Sequence, residues 1–253
     1  MQGKKKGREF LPMDPKVIYE DEVMLVLDKP AGWIVNEAET TRGRETIQKW
    51  LSKRSYPLAK DRGMRSGIVH RLDKETSGIL VIAKTKQAFV NLQEQFKKRL
   101  VKKNYTALVH GKVEPGEGSI NATVGRLPWN RERFGVIPGG REAETQYRVI
   151  TNYKLQITKA EFTLLELMPK TGRTHQIRVH LKYLGHPIVS DEFYAGRKTA
   201  RADRVWCPRL FLHASGIKFT HPSTKRLISI DSELSEDLTS CLTKLAPFTT
   251  LRG

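Results

Sequence analysis

The stretch His70-Arg71-Leu72-Asp73-Lys74-Glu75-Thr76-Ser77-Gly78 gathers a carboxylate, cations and hydroxyls immediately before the apolar run Ile79-Leu80-Val81-Ile82-Ala83. Mounted at the mouth of a strand, Asp73 has a fixed address, from which a carboxylate can attack an electrophile or take a proton. Next to Arg71 it can equally form a local ion pair that closes a turn. A second polar cluster, Thr171-Gly172-Arg173-Thr174-His175-Gln176-Ile177-Arg178-Val179-His180-Leu181, ends at Leu184-Gly185. Thr174 is expected to cap a helix running to Leu184, and Gly185 to close it. The free N–H groups at its start, beside Arg173, make an anion site. On such a helix His175 and His180 diverge by about 140°, unlike the i,i+4 pair of a zinc-binding helix, so no metal is expected. A general-base pair drawn from His70, His175 and His180, as a metal-free ribonuclease needs, is compatible with the spacing.

The elements that must position these groups are mixed and strand-rich. Ile79 to Ala83 reads as a buried strand, with Gly78 turning the backbone into it. Val17-Ile18-Tyr19 and Val23 to Leu27 flank the acidic turn Glu20-Asp21-Glu22 as a hairpin, which Lys29-Pro30-Ala31-Gly32 stops. A short helix is expected around Thr46 to Lys53. From the N-cap Thr85, Phe89, Leu92, Phe96 and Leu100 recur on one helical face, trailed by Lys97-Lys98-Arg99 and Lys102-Lys103. Tyr105 to Val109, Thr145 to Ile150 and Ala160 to Met168 read as strands. Gly111 to Thr145 reads as one long hairpin whose tip holds Arg126, Trp129, Arg131, Arg133 and Arg141, aromatics among arginines that suit nucleic acid.

The charge points the same way. Lys and Arg number 45 against 27 Asp and Glu, a formal net charge of +18, which favours a polyanionic partner through steering and counterion release. No run approaches the roughly 18 apolar residues of a membrane span, and the first residues lack the apolar segment of a secretory signal. Cys207 and Cys241 make neither a disulfide framework nor a zinc site, so a reducing cytoplasm is expected. The expected organisation is a basic, disordered leader over 1–15, one domain over 16–245 and a tail over 246–253. Without a long exposed apolar stripe, a monomer is expected.

Several motifs in one order resemble the RluA-type pseudouridine synthases. They are Asp28-Lys29-Pro30-Ala31-Gly32, His70-Arg71-Leu72-Asp73 with Thr76-Ser77-Gly78, and Gly172 to Leu181. Gly185-His186-Pro187-Ile188 with Asp191 and Tyr194 follows, as do Ala143, Thr145 and Tyr147, Leu212-His213-Ala214 and His221-Pro222. The resemblance runs from about residue 16 to residue 240. It implies an α+β fold with a mixed, mostly antiparallel bent sheet and flanking helices around a central basic cleft. It also implies isomerisation of chosen uridines in tRNA or rRNA to pseudouridine, with neither cofactor nor metal. The family's essential aspartate falls on Asp73. Its active-site tyrosine, which lies against the target base and is a candidate for removing the C5 proton, falls on Tyr105. The arginine that pairs with the aspartate falls on Arg178, and the apolar residue that packs on the base on Ile177. Arg71 matches the arginine that enters the RNA stack vacated by the flipped nucleotide, and Lys29, Arg173 and His175 fall among the substrate- and RNA-binding motifs. Many relatives carry an N-terminal S4-type RNA-binding domain, whereas here the motifs begin almost at once. The catalytic domain or a partner is then expected to hold RNA, with Arg197, Lys198, Arg201, Arg204 and Arg209 as further candidates. Trp33 and Asn36 stand where many relatives have an aliphatic residue and a histidine. The rival from another class is a noncatalytic RNA-binding or ribosome-assembly factor, which has no chemical need for a carboxylate facing phosphates.

Overall fold

In the computed structural model, which describes residues 13–41 and 43–248, the acidic turn joins β1 (Lys16–Glu20) to β2 (Met24–Lys29) as an antiparallel pair. Asp21 shapes that turn, its Oδ1 accepting the backbone N–H groups of Val23 and Met24 at 2.9 Å each. Residues 1–12 of the expected leader lie outside the described residues. The short helix α1 (Ile47–Ser52) is capped by Thr46, whose Oγ1 accepts from the Lys49 N–H. The chain then reverses through the left-handed residues Arg65, Ser66 and Gly67 and enters β3 (Ser77–Ala83).

Both faces of β2 and β3 are apolar because both are covered. Met24, Val26, Ile79 and Val81 pack with Phe89 and Leu92 of α2 (Lys86–Lys97), while Leu25, Leu27, Leu80 and Ile82 pack with Ile47 and Leu51 of α1. The strand period of two sorts them. Thr85 caps α2, its Oγ1 accepting the Ala88 N–H. The helix ends sooner than its apolar spacing suggests: Arg99 turns left-handed at φ 59, and Leu100 is 60% exposed instead of joining the buried face. Lys102 and Lys103 therefore open β4 (Lys102–His110).

The expected long hairpin divides into β5 (Glu117–Asn121), β6 (Val124–Leu127) and β7 (Asn130–Val136), followed by β8 (Glu144–Leu155). β5 pairs with β8, and β6 with β7 forms a separate two-stranded hairpin. Next come β9 (Glu161–Pro169), α3 (Gln176–Tyr183), α4 (Arg197–Asp203), β10 (Leu212–Thr220), β11 (Leu227–Asp231), α5 (Glu236–Leu242) and β12 (Leu245–Phe248). The large sheet runs β1-β2-β3-β10-β4-β9-β8-β12, with β11 on β10 and β5 on β8. All its pairings are antiparallel except β3 with β10, giving the expected mixed, mostly antiparallel sheet with flanking helices. β12 pairs with β8 as far as Phe248, so residues 246–248 of the expected tail belong to the sheet.

The parallel junction is short, matching only Ser77 with His213 and Gly78 with Ala214. Gly78 has φ +105, and a Cβ there would lie 2.3 Å from the Ala214 carbonyl oxygen, so only glycine fits. A second core, between β4, β8, β9 and β10 and the helices α3 and α5, fills the other half. Among the described residues no helix is long and apolar enough to cross a membrane.

Candidate active site

Asp73 lies on the loop entering β3, and Lys29 sets that loop's shape. Lys29 is fully buried, its Nζ donating to the carbonyl oxygens of Pro30, Trp33 and Lys74 at 3.0, 3.1 and 3.3 Å. The expectation that Lys29 touches substrate is corrected: its three donors tie the Pro30-Ala31-Gly32 turn to the residue after Asp73. Burial, reinforced by the Arg209 charge, pushes its pKa down to about 7 against the opposing pull of Asp73 and Asp28. Gly32 N–H also donates to Lys74 O at 2.8 Å, and Thr76 N–H to Asp73 O at 3.2 Å. Asp73 thus springs from a pinned backbone.

The opposing cation comes from α3. This helix begins at Gln176, and the residue before it is His175 in the left-handed conformation, φ 55, with no side-chain cap bond; Thr174 does not cap it. Gln176 pins the helix start instead. Its Oε1 accepts from Thr171 Oγ1 and the Arg173 N–H, and its Nε2 donates to Glu144 O and Thr145 Oγ1. Gly185, at φ 92, closes the far end as expected, and the His186 N–H returns to Leu181 O.

Arg178 spends its fork on Asp191, with Nε and Nη2 each donating at 2.8 Å to the two carboxylate oxygens. Its Nη1 reaches Asp73 Oδ2 only at 3.5 Å. The expected Arg178–Asp73 pairing is therefore the longer contact, and the strong partner is a residue that the sequence marks only as part of a motif. Asp191 is fully buried and also accepts the N–H groups of Phe193 and Tyr194. Burial works against the Arg178 charge, but the hydrogen bonds and charge of Asp191, with Asp73, outweigh it and raise the pKa. The rings of Phe193 and Tyr194 lie 5.5 and 5.0 Å from the guanidinium carbon, adding cation–π attraction.

Two cavities meet at Asp73. A wide cleft of about 1520 Å³ is lined by Arg62, Arg65, Arg71, Asp73, Arg178 and Arg209, among others. A pocket of about 110 Å³ is lined by Asp73, Lys103, Tyr105, Ile177, Arg178 and Leu212. At roughly 30 Å³ per water molecule, the pocket has room for one small ring. Burial first, then the Asp73 charge, raises the Tyr105 pKa, so its phenol stays protonated. Lys103, two residues before Tyr105 and on the same strand face, donates to Thr171 O at 3.1 Å. Arg71 is exposed and borders both cavities. Arg173 borders the pocket, and its Nε donates to Glu142 O. Its pKa is lowered by burial, then by the charges of Arg141 and Arg99, the mark of cations crowded where an anion would relieve them.

Of the three histidines, only His175 borders the cavities. His70 Nε2 accepts the Val81 N–H at 2.9 Å, its ring stacks on Phe96, and burial, then the charge of Lys103, pushes its pKa down to about 3. His180 is fully buried and bonded to Thr145 Oγ1 and Ala122 O. They form no general-base pair. Among the described residues no three His, Cys, Asp or Glu side chains gather as a metal site. Trp33 is buried and donates to Met13 O, and Asn36 borders the cleft. The β6–β7 hairpin carries the exposed Trp129 and leans on the site, with Arg133 over the Phe193 ring and the Phe134 N–H donating to Tyr194 Oη.

A family model described as RNA pseudouridylate synthase matches residues 23–183. Ribosomal large subunit pseudouridine synthase D of Nitrosomonas europaea is 39% identical over 238 residues, 92% of this chain and 65% of the relative. An uncharacterized RNA pseudouridine synthase of Bacillus subtilis is 37% identical over 92% of this chain and 74% of its own length. The chain thus spans about two thirds of the length of the curated relatives it matches. Among solved structures, Human RNA Pseudouridylate Synthase Domain Containing 1 superposes with a TM-score of 0.71 at 26% identity, over 95% of this chain and 91% of the other.

Proposed function

The chain belongs to the RNA pseudouridylate synthase family, and from that premise we propose that it isomerises a uridine in structured RNA to pseudouridine, with large-subunit ribosomal RNA as the substrate class. The observation that carries this reading is the position of Asp73 at the junction of a wide arginine-lined cleft and a ring-sized pocket. The cleft suits an RNA strand and the pocket a single base. A uridine reaches such a pocket only by leaving its stack, at a cost of a few kcal/mol. Stacking on Tyr105, packing against Ile177 and insertion of Arg71 into the vacated stack offset that cost. Asp73 supplies the carboxylate that acts on the nucleoside while the bond from N1 to the ribose breaks and the bond to C5 forms, C5 giving up its proton and N1 gaining one. Arg178 places a positive charge beside that carboxylate. Arg173 adds positive charge at the pocket rim. The ribosomal substrate is supported by the names of relatives such as ribosomal large subunit pseudouridine synthase C of Vibrio cholerae, 36% identical over 90% of this chain.

The test is tritium release from ribosomal RNA labelled at uridine C5, with RNA length measured alongside. Release with intact chains is expected from the wild type and not from Asp73→Ala, which keeps its RNA affinity. Release that persists in Asp73→Ala sinks the assignment. Binding without release favours the assembly-factor reading, and shortened chains favour the nuclease.

A further inference from the structure

The contacts that reach Asp73 converge on one of its oxygens. Arg178 Nη1 lies 3.5 Å and His175 Nε2 3.8 Å from Oδ2, and Oδ1 receives no hydrogen bond from the described residues. Both distances exceed a formed hydrogen bond, and catalytic contacts of this kind tighten only once substrate is in place.

The Phe134 N–H donates to Tyr194 Oη at 3.4 Å, and Tyr194 Oη lies 2.9 Å from His175 Nδ1. Burial pushes the Tyr194 pKa up to about 12, so the phenol keeps its hydrogen. Its O–H can serve as the donor to Nδ1. A neutral imidazole then carries its own hydrogen on Nε2, the nitrogen nearest Asp73. Burial favours that neutral form, with Asp73 and Asp191 pulling toward protonation and Arg178 and Arg71 away from it. Phe134, Phe193 and Tyr194 meet the ring edge-on at 5.8, 6.0 and 5.8 Å, and its backbone is held left-handed at φ 55, a conformation that persists only where the surroundings impose it.

We propose that His175 is a positioning residue for Asp73: fixed as the Nε2–H tautomer by Tyr194, it joins Arg178 on Oδ2 and leaves Oδ1 as the oxygen that meets the substrate. This rests on the proposed isomerase activity, and it assigns His175 a task other than direct RNA binding.

Single-turnover and steady-state tritium release from labelled ribosomal RNA test it, using His175→Leu, His175→Gln and Tyr194→Phe. His175→Leu is expected to lower kcat by about 10- to 100-fold with KM unchanged, the range of a lost hydrogen bond to a charged group. His175→Gln, which keeps an N–H donor at similar reach, recovers most of that loss. Tyr194→Phe leaves the left-handed residue and its ring in place, and lowers kcat by a smaller factor because Nδ1 then competes for the hydrogen. A wild-type kcat in His175→Leu overturns the proposal. So does a raised KM with kcat unchanged, which assigns His175 to RNA binding, or a Gln variant as slow as Leu, which makes the loss structural. A wild type that releases no tritium fails the isomerase reading instead.

Discussion

A guanidinium has one bidentate fork, and giving it to Asp191 leaves Asp73 with a cation nearby but not clamped. That division suits the reactive role proposed for Asp73: Arg178 supplies the field, and Asp191 carries the burden of keeping the guanidinium buried and charged. Asp191→Ala leaves that guanidinium uncompensated and is expected to destabilise the protein by about 3–5 kcal/mol in urea denaturation. Asp73→Ala, which gives up only two long contacts at the cleft edge, is expected to cost less than about 1 kcal/mol. Equal stabilities for the two variants would remove Asp191 from its anchoring role. His70, the first residue of the conspicuous motif, is structural in the same sense, since it needs an unprotonated Nε2 to accept the Val81 N–H. Its pKa is near 6.5 unfolded and about 3 folded. Between those values the unfolded chain binds a proton that the folded chain does not, so stability falls as pH drops from 6.5 toward 3. Between pH 7 and pH 5 the wild type is expected to lose about 1–2 kcal/mol more than His70→Gln; parallel losses would show that His70 is not held neutral.

At the scale of elements, the left-handed turn at Arg65-Ser66-Gly67 matters because it turns a basic loop toward the cleft. Arg62, Arg65 and Arg71 line that cleft with no salt bridge among the described residues, whereas Arg178, Arg204 and Arg209 on the same cleft are paired with carboxylates. Unpaired cations are the ones that release counterions on meeting phosphates. The double variant Arg62→Ala with Arg65→Ala is therefore expected to reduce the slope of log K against log salt for RNA binding by about 2. An unchanged slope would place the RNA backbone along the β6–β7 hairpin and its arginines. Of the elements themselves, those governed by local rules were legible in the sequence: the short helix after Thr46, the Thr85 cap, the Gly185 stop, and the apolar strand after Gly78. Where a residue's neighbours in space decided, the reading failed. Leu100 has the spacing of a buried helical position, yet the left-handed Arg99 turns it out to solvent.

Over the whole molecule, the site straddles the seam of the sheet. Asp73 comes from the loop before β3, while Tyr105 sits on β4 and Arg178 on α3, on the far side of the two-residue junction between β3 and β10. Ser77 Oγ bonds His213 Nδ1 across that junction at 2.9 Å, and Arg209 Nη2 reaches the same hydroxyl at 3.1 Å. The distance between the aspartate and its partners is thus set by how closely two strands approach. Gly78→Ala forces a Cβ into the Ala214 carbonyl at a backbone angle that alanine resists. It is expected to destabilise by about 3 kcal/mol or more and to lower tritium release through misplacement of Asp73. A thermal midpoint unchanged from the wild type would show that the seam yields without cost.

The chain's sequence by itself determined the candidate residues, the local elements that carry them and the charge that calls for a polyanion, because caps, periods and composition act within a turn, within a strand or over the chain as a sum. It also carried the family resemblance in the order of its motifs. Only the tertiary structure decided which groups meet. Asp73 and Arg178 are 105 residues apart and Lys29 and Lys74 are 45 apart, and no periodicity links them. Asp191 became the partner of Arg178, Lys29 a buried tie and His175 a neighbour of Asp73 because strand order and helix docking set those distances, and hydrogen bonds and ion pairs form only where side chains are brought within a few ångströms.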